Sequence, residues 1–138
     1  MNVSSNASDL ISYQGLIEPV AGSSTYTTGW VYCGGSDAWS ALVTAGAVTG
    51  TVDAKLEQYD GSTTKDVTGS DITQLAAPGT VIIQCKPGDL DTANDFDRIR
   101  LSITTSNAAD VAAGALIGAC VRNAPLASGS KVDETVTV

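Results

Sequence analysis

The residues best equipped for chemistry in this chain are the carboxylates Asp89, Asp91, Asp95 and Asp97, crowded with Asn94 into one short stretch. Oxygen donors at that density suit Ca²⁺, a hard cation that takes about six to eight oxygen ligands. The spacing points the other way. In an EF-hand loop opening at Asp89, the sixth position would be Asn94 where glycine is needed. The twelfth would be Arg100 where a bidentate glutamate is needed. The plainer expectation is a solvated loop whose carboxylates pair with Arg98 and Arg100. A second pair of carboxylates, Asp53 and Glu57, invites comparison with glycoside hydrolysis. On one strand face, residues four apart are separated by about 13 Å, too far for an acid and a nucleophile to share one bond.

Nucleophilic catalysis lacks its usual base. The chain has no histidine, so neither Ser-His-Asp nor Cys-His machinery is available. Cys33, Cys85 and Cys120 lie far apart and form no Cys-x-x-Cys pair. Each falls in or beside an apolar stretch, which raises a thiol pKa. They read as buried thiols of a protein made in a reducing cytoplasm, with a Cys33–Cys120 bridge left open. Gly34-Gly35 is not followed by the Gly-Lys-Ser/Thr of a phosphate loop. Trp30, Trp39, Tyr26, Tyr32 and Tyr59 would make a sugar-stacking platform if coplanar and exposed. Such residues more often anchor a core or an interface. The expectation is no catalytic residue, no metal, no cofactor and no enzymatic activity.

The elements that carry these residues read as strands. In Thr51 to Tyr59, TVDAKLEQY, apolar Val52, Ala54 and Leu56 alternate with charged Asp53, Lys55 and Glu57. A period of two buries one face and wets the other. Phe96 to Thr105 repeats the pattern, and Thr80 to Cys85 is rich in β-branched residues. Tyr26 to Cys33 predicts a strand with a bulge at Gly29. Ala38 to Val48 and Val111 to Val121 are apolar nearly throughout, which predicts strands buried on both faces. Asp60-Gly61 marks a hairpin, Pro78-Gly79 a stop, and Pro87 to Asp91 a helical turn. Leu10 to Ile17 is extended and ends at Pro19. Val136 and Val138 in the tail suit an added edge strand.

At 138 residues the chain is one domain that buries roughly 68–70% of its unfolded surface. Seven basic residues against 15 acidic give a net charge of −8. Scattered cations and an acidic balance exclude nucleic acid and anionic membrane as partners. No apolar run approaches the ~20 residues of a membrane span, and the first ten residues do not resemble a signal peptide. The predicted fold is all-β: a single antiparallel β-sandwich, jelly-roll-like, of about eight short strands. Residues 1–17 form an extended N-terminal arm, 18–126 the sandwich, and 127–138 a C-terminal tail or edge strand.

The run from Thr28 through TGWV, then TVDAKLEQ (51–58), DITQL (71–75), CKPGDLD (85–91) and RIRLS (98–102), resembles small proteins encoded beside the head genes of tailed bacteriophages. Gly118 to Pro125, GACVRNAP, is similar to their closing segment, so the resemblance spans about residues 27–125. It implies a virion structural protein: a capsid decoration, or cement, protein bound to the outer surface of the shell and made in the host cytoplasm. The implied partners are the major capsid protein and copies of the same chain, a homotrimer in preference to a homodimer. The expected interface residues are Leu10, Ile11, Tyr13, Leu16, Ile17, Trp39 and Tyr59. In that reading the arm orders only on the capsid or on a sister subunit. The alternative is a carbohydrate- or receptor-binding sandwich on a head or tail fibre.

Overall fold

The computed structural model describes residues 11–119 and 134–138. Its strands are β1 (Ile11–Ala21), β2 (Thr25–Thr27), β3 (Val31–Tyr32), β4 (Ala38–Ala47) and β5 (Val52–Tyr59), followed by β6 (Thr64–Asp66), β7 (Gly79–Cys85), β8 (Arg98–Thr105), β9 (Val111–Ala119) and β10 (Glu134–Thr137). Short 3₁₀ turns lie at Cys33–Gly35, Pro87–Asp89 and Thr92–Asn94. The strands form two sheets packed face to face, the β-sandwich that alternation predicts. One sheet has the order β1-β9-β4-β7-β10. The other has the order β2-β8-β5-β6, with β3 also on β8. All pairings are antiparallel except β10 on β7.

The core lies between the sheets. Val43, Val81, Ile83 and Leu116 from the first sheet meet Val52, Leu56, Ile99, Leu101 and Ile103 from the second, all without solvent exposure. Alternation on β5 is complete: Val52, Ala54, Leu56 and Gln58 are buried and their neighbours half-buried. Gly114 of β9 lies directly against the opposite sheet. A Cβ there would stand 2.7 Å from Leu101 Cδ2 and 2.9 Å from Ile103 Cδ1.

Three chain crossings between the sheets share one end of the sandwich, and Asp110 ties them together. It is wholly buried. Its carboxylate accepts N–H bonds from Thr49 (2.6 Å) and Gly50 (2.9 Å), at the β4–β5 corner, and from Asn107 (2.9 Å), at the β8–β9 corner. Its carbonyl accepts from Gly22, at the β1–β2 corner. These backbone donors, Gly50 first, hold its carboxyl below the usual Asp range despite burial.

Several expectations need correction. The arm drawn at 1–17 does not end at 17: β1 runs unbroken from Ile11 to Ala21 and pairs with β9. Pro19 is tolerated because β1 is an edge strand with a register shift between Ile17 and Val20, where no ladder N–H is required. Residues 11–21 are therefore ordered within the chain itself. The stretch Tyr26 to Cys33 is not one strand. Thr28 breaks it, because its Oγ1 accepts from Leu101 N (3.0 Å) while its own N–H donates to Leu101 O. Asp71 to Leu75 is reduced to a bridge from Leu75 to Val52. The tail contributes an edge strand, β10, on β7 of the same chain. Leu10 and Cys120 lie outside the described residues.

Candidate interaction surfaces

The two outer faces of the sandwich differ in charge. On the second sheet, β5 carries Asp53, Lys55 and Glu57, β6 carries Lys65 and Asp66, and β8 carries Arg98 and Arg100. These groups pair locally: Lys55 with Asp66 (2.8 Å), Arg100 with Glu57 (2.5 Å), and Lys65 with Asp91. The Asp66 carboxylate raises the Lys55 pKa, and Lys65 with Asn94 lowers that of Asp91. Trp30 stacks on Tyr59, with ring centroids 4.9 Å apart and planes at 18°. Arg100 lies over Trp30 at 4.3 Å and Arg98 over Tyr59 at 5.5 Å. Each ring and each guanidinium thus has a partner within the chain. This is the charged sheet.

The outer face of the other sheet is nearly uncharged. β4, β7 and β9 contain no ionisable side chain except inward-facing Cys85, β1 contributes Tyr13 and the exposed Glu18, and β10 begins at Glu134. Cross-strand register lines up its side chains. Leu16, Ala115, Leu42 and Ile82 form one row, and Tyr13, Ile117, Ser40 and Gln84 the next. None of these eight is buried, and Tyr13 and Leu16 are 73% and 67% exposed. Small side chains at Ala113 and Ala115 leave a trough between Leu16, Glu18 and Pro19 on β1 and Leu42 and Thr44 on β4. With Glu18 as the one carboxylate lining the trough, such a face offers shape and apolar area in place of a cluster of acid–base or metal-binding groups.

This corrects the reading of β4 and β9 as strands covered on both faces. Within the chain one face is covered and the other is open. Of the expected interface residues, Ile11, Tyr13 and Leu16 are placed together on β1 at the rim of the neutral face. Ile17 and Trp39 are core residues, 6% and 2% exposed, and cannot meet a partner. Trp39 Nε1 donates to the Cys33 carbonyl at 2.7 Å. Tyr59 belongs to the opposite, charged sheet. Sequence reasoning missed Leu42, Ile82, Ala115 and Ile117. Their signal was the lack of charge in the three strands that carry them.

Three carboxylates of the acidic loop have partners within the chain. Asp91 accepts from Asn94 Nδ2 and from Lys65, Asp89 accepts from Lys86 N (2.7 Å), and Asp97 lies 3.6 Å from Arg98. The expected pairing of the loop with Arg100 does not form, because Arg100 is held by Glu57. Among the described residues no three His, Cys, Asp or Glu side chains converge as metal ligands. Asp53 accepts from Gln74 (2.7 Å), so it and Glu57 are engaged separately. Cys33 and Cys85 are free and buried, 1% and 2% exposed. The hydrogen bond between their thiols, with burial, pushes the Cys85 pKa far up, which keeps it a thiol. Among the described residues no helix is long and apolar enough to cross a membrane.

Neither a family model nor a curated protein matches the chain. Thirteen chains of solved structures do. One is a CBM4 carbohydrate-binding module, with 14% identity and a TM-score of 0.46, over 79% of this chain and 70% of that one. Another is from the top component of Cowpea mosaic virus, its naturally occurring empty particles, with 8% identity and a TM-score of 0.45, over 87% and 93%. A third is the Clostridium thermocellum xylanase 10B CBM22-1-GH10 structure, with 14% identity and a TM-score of 0.41, over 86% of this chain and 28% of that one. The class defined by the sheets themselves is the jelly-roll-like β-sandwich. At these identities the neighbours include viral capsid proteins and carbohydrate-binding modules without choosing between them.

Proposed function

We propose that this chain is a non-enzymatic structural protein of a virion, a decoration protein that docks on the outer surface of a tailed-phage head through the outer face of its neutral sheet. The observation that carries the reading is the uncovered row Leu16, Ala115, Leu42 and Ile82 in a molecule of net charge −8. Strands apolar on both sides are normally covered on both sides. Here the second cover is missing within the chain, so another protein would supply it. The resemblance of residues 27–125 to phage head-associated proteins names the kind of protein. A clamp of this sort stabilises a shell by binding its assembled form, a mass-action effect needing no catalysis.

The test uses heads of the encoding phage stripped of this protein. Wild-type chain should rebind and raise their resistance to heat. Leu42→Asp and Ala115→Asp, folded by circular dichroism, should lose rebinding. Full occupancy by both variants would refute the docking face. The carbohydrate- or receptor-binding alternative loses Trp39 to the core, and Trp30 and Tyr59 spend a ring face on each other.

A further inference from the structure

On the outer face of the charged sheet, one buried hydroxyl has no partner. Ile99, Leu101 and Ile103 of β8 turn into the core, so alternation turns Arg100, Ser102 and Thr104 outward. Ser102 is the one outward position of β8 that is buried, at 2% exposure. It floors a hollow of about 250 Å³, lined also by Asp53 and Lys55 of β5, by Asp71 and by Thr104. Register builds the hollow from two cross-strand rows, Thr25–Thr104–Asp53 and Thr27–Ser102–Lys55. Residues 67–75 close its far side, because Ile72 N donates to Ala54 O (3.1 Å) and sets Asp71 beside β5. The groups around Ser102 are held by others. Asp53 Oδ2 accepts from Gln74, Lys55 pairs with Asp66, and Thr104 Oγ1 shares a hydrogen bond with Thr25 Oγ1 (3.0 Å). The Ser102 hydroxyl makes no hydrogen bond among the described residues. A buried polar group is costly to leave in that state, and its absence of a partner calls for a ligand.

We infer that this hollow binds an uncharged sugar ring, one of whose hydroxyls pairs with Ser102. The groups present select the ligand. An anion such as phosphate would meet the carboxylates of Asp53 and Asp71. A metal ion would meet the Lys55 ammonium, and no three His, Cys, Asp or Glu side chains converge among the described residues. The same ammonium opposes a cationic side chain. What remains is a ligand that donates and accepts hydrogen bonds while carrying no charge, and adjacent ring hydroxyls do both. Gln74 bonds Oδ2 of Asp53, and a carboxylate has acceptor capacity beyond one bond. Lys55 carries three N–H donors, of which Asp66 engages one, and Ser102 can donate or accept. The bonds to Gln74 and Asp66 hold both charged arms in place before a ligand arrives, which lowers the ordering cost of binding. The hollow is smaller than the roughly 300–1,000 Å³ of drug-sized sites, which suits a single ring. Its lining includes no aromatic residue, so recognition rests on hydroxyl pairing alone. One ring held in this way should bind with a Kd of about 1 mM.

The hollow lies on the sheet opposite the docking face, so it stays open on a docked head, and the inference stands without docking. It is tested by NMR on the isotope-labelled full-length protein in solution, titrated in turn with glucose, galactose, mannose and N-acetylglucosamine. Saturable shifts of the amide signals of Asp53, Lys55, Ser102 and Thr104 with at least one of these sugars are the expected result. Ser102→Val fills the floor with methyl groups, and Asp53→Asn removes a charged acceptor from the half-buried wall. Each should raise the Kd by about tenfold or more while the remaining amide signals stay in place. No saturable shift at these amides with any of the four sugars overturns the inference, as does binding that both variants leave unchanged. Saturable shifts there with phosphate or methylammonium, and none with the sugars, overturn the choice of ligand.

Discussion

Replacing Trp39 by phenylalanine removes one hydrogen bond and part of one ring from the centre of the sandwich, and the cost can be worked from the contacts. Trp39 is 2% exposed, pairs across β4–β7 with Cys85, and donates to the Cys33 carbonyl. Phenylalanine leaves that carbonyl without its donor, at about 1–3 kcal/mol for a buried acceptor. The smaller ring leaves a void worth about 1 kcal/mol more. The sum is about 2–4 kcal/mol, a large share of the roughly 5–15 kcal/mol that holds a domain together. For a domain of this size it lowers Tm by about 10 °C. Urea and thermal unfolding give the magnitude. Two further readouts locate it. Trp39 is the buried one of the two tryptophans, so the variant should lose the blue-shifted part of the emission and keep that of Trp30. Cys33 and Cys85, which lie against Trp39, should react with a thiol reagent faster than in the wild type. A stability loss below about 1 kcal/mol with unchanged emission would refute the placement of Trp39 in the core and restore it as a surface anchor.

The buried Asp110 gives a pH dependence with a definite sign. Its folded pKa lies below the ordinary value of about 3.9, so its contribution is complete above that value and is lost as pH falls through it toward the folded one. Wild-type Tm should fall in acid, and Asp110→Asn should lower Tm at pH 7 while flattening the acid decline; an unchanged acid decline would sink the assignment. Gly114→Ala puts a Cβ 2.7 Å from Leu101 Cδ2 between the sheets and should cost about 1–3 kcal/mol by urea unfolding, whereas no loss would mean the sheets separate freely. Arg100→Ala, made in the Trp39→Phe background, should cost about 1 kcal/mol and shift Trp30 emission, because Arg100 both pairs with Glu57 and covers the indole.

The strands with strict alternation were legible in the sequence, and β5 and β8 fall where Val52, Leu56, Ile99 and Leu101 put them. Gly61, at φ 102°, and Asp60, whose Oδ1 accepts from Ser62 and Thr63 N–H, make the hairpin that Asp-Gly announced. Five features were not legible, each for a physical reason. A side-chain hydroxyl can replace a ladder partner, so Thr28 breaks a strand that β-propensity made continuous. An edge position tolerates proline, so Pro19 does not end β1. An apolar run does not say who covers it. Ala38 to Val48 predicts two covered faces, and the chain covers one. Aromatic type likewise does not say which way a ring points: Trp39 and Trp30 look alike in the sequence, yet one is core and the other stacks on the charged sheet. The buried carboxylate of Asp110 had no local signal, because its donors at Thr49 and Gly50 are about 60 residues away.

The central claim is that the neutral sheet is a docking face, and a cryo-EM reconstruction of heads of the encoding phage tests it most directly. The account predicts this chain outside the shell in icosahedral register, with Leu16, Leu42 and Ala115 turned toward the neighbouring subunits and the charged sheet toward solvent. Density with the neutral sheet facing water, or no ordered copies on the lattice, would contradict it.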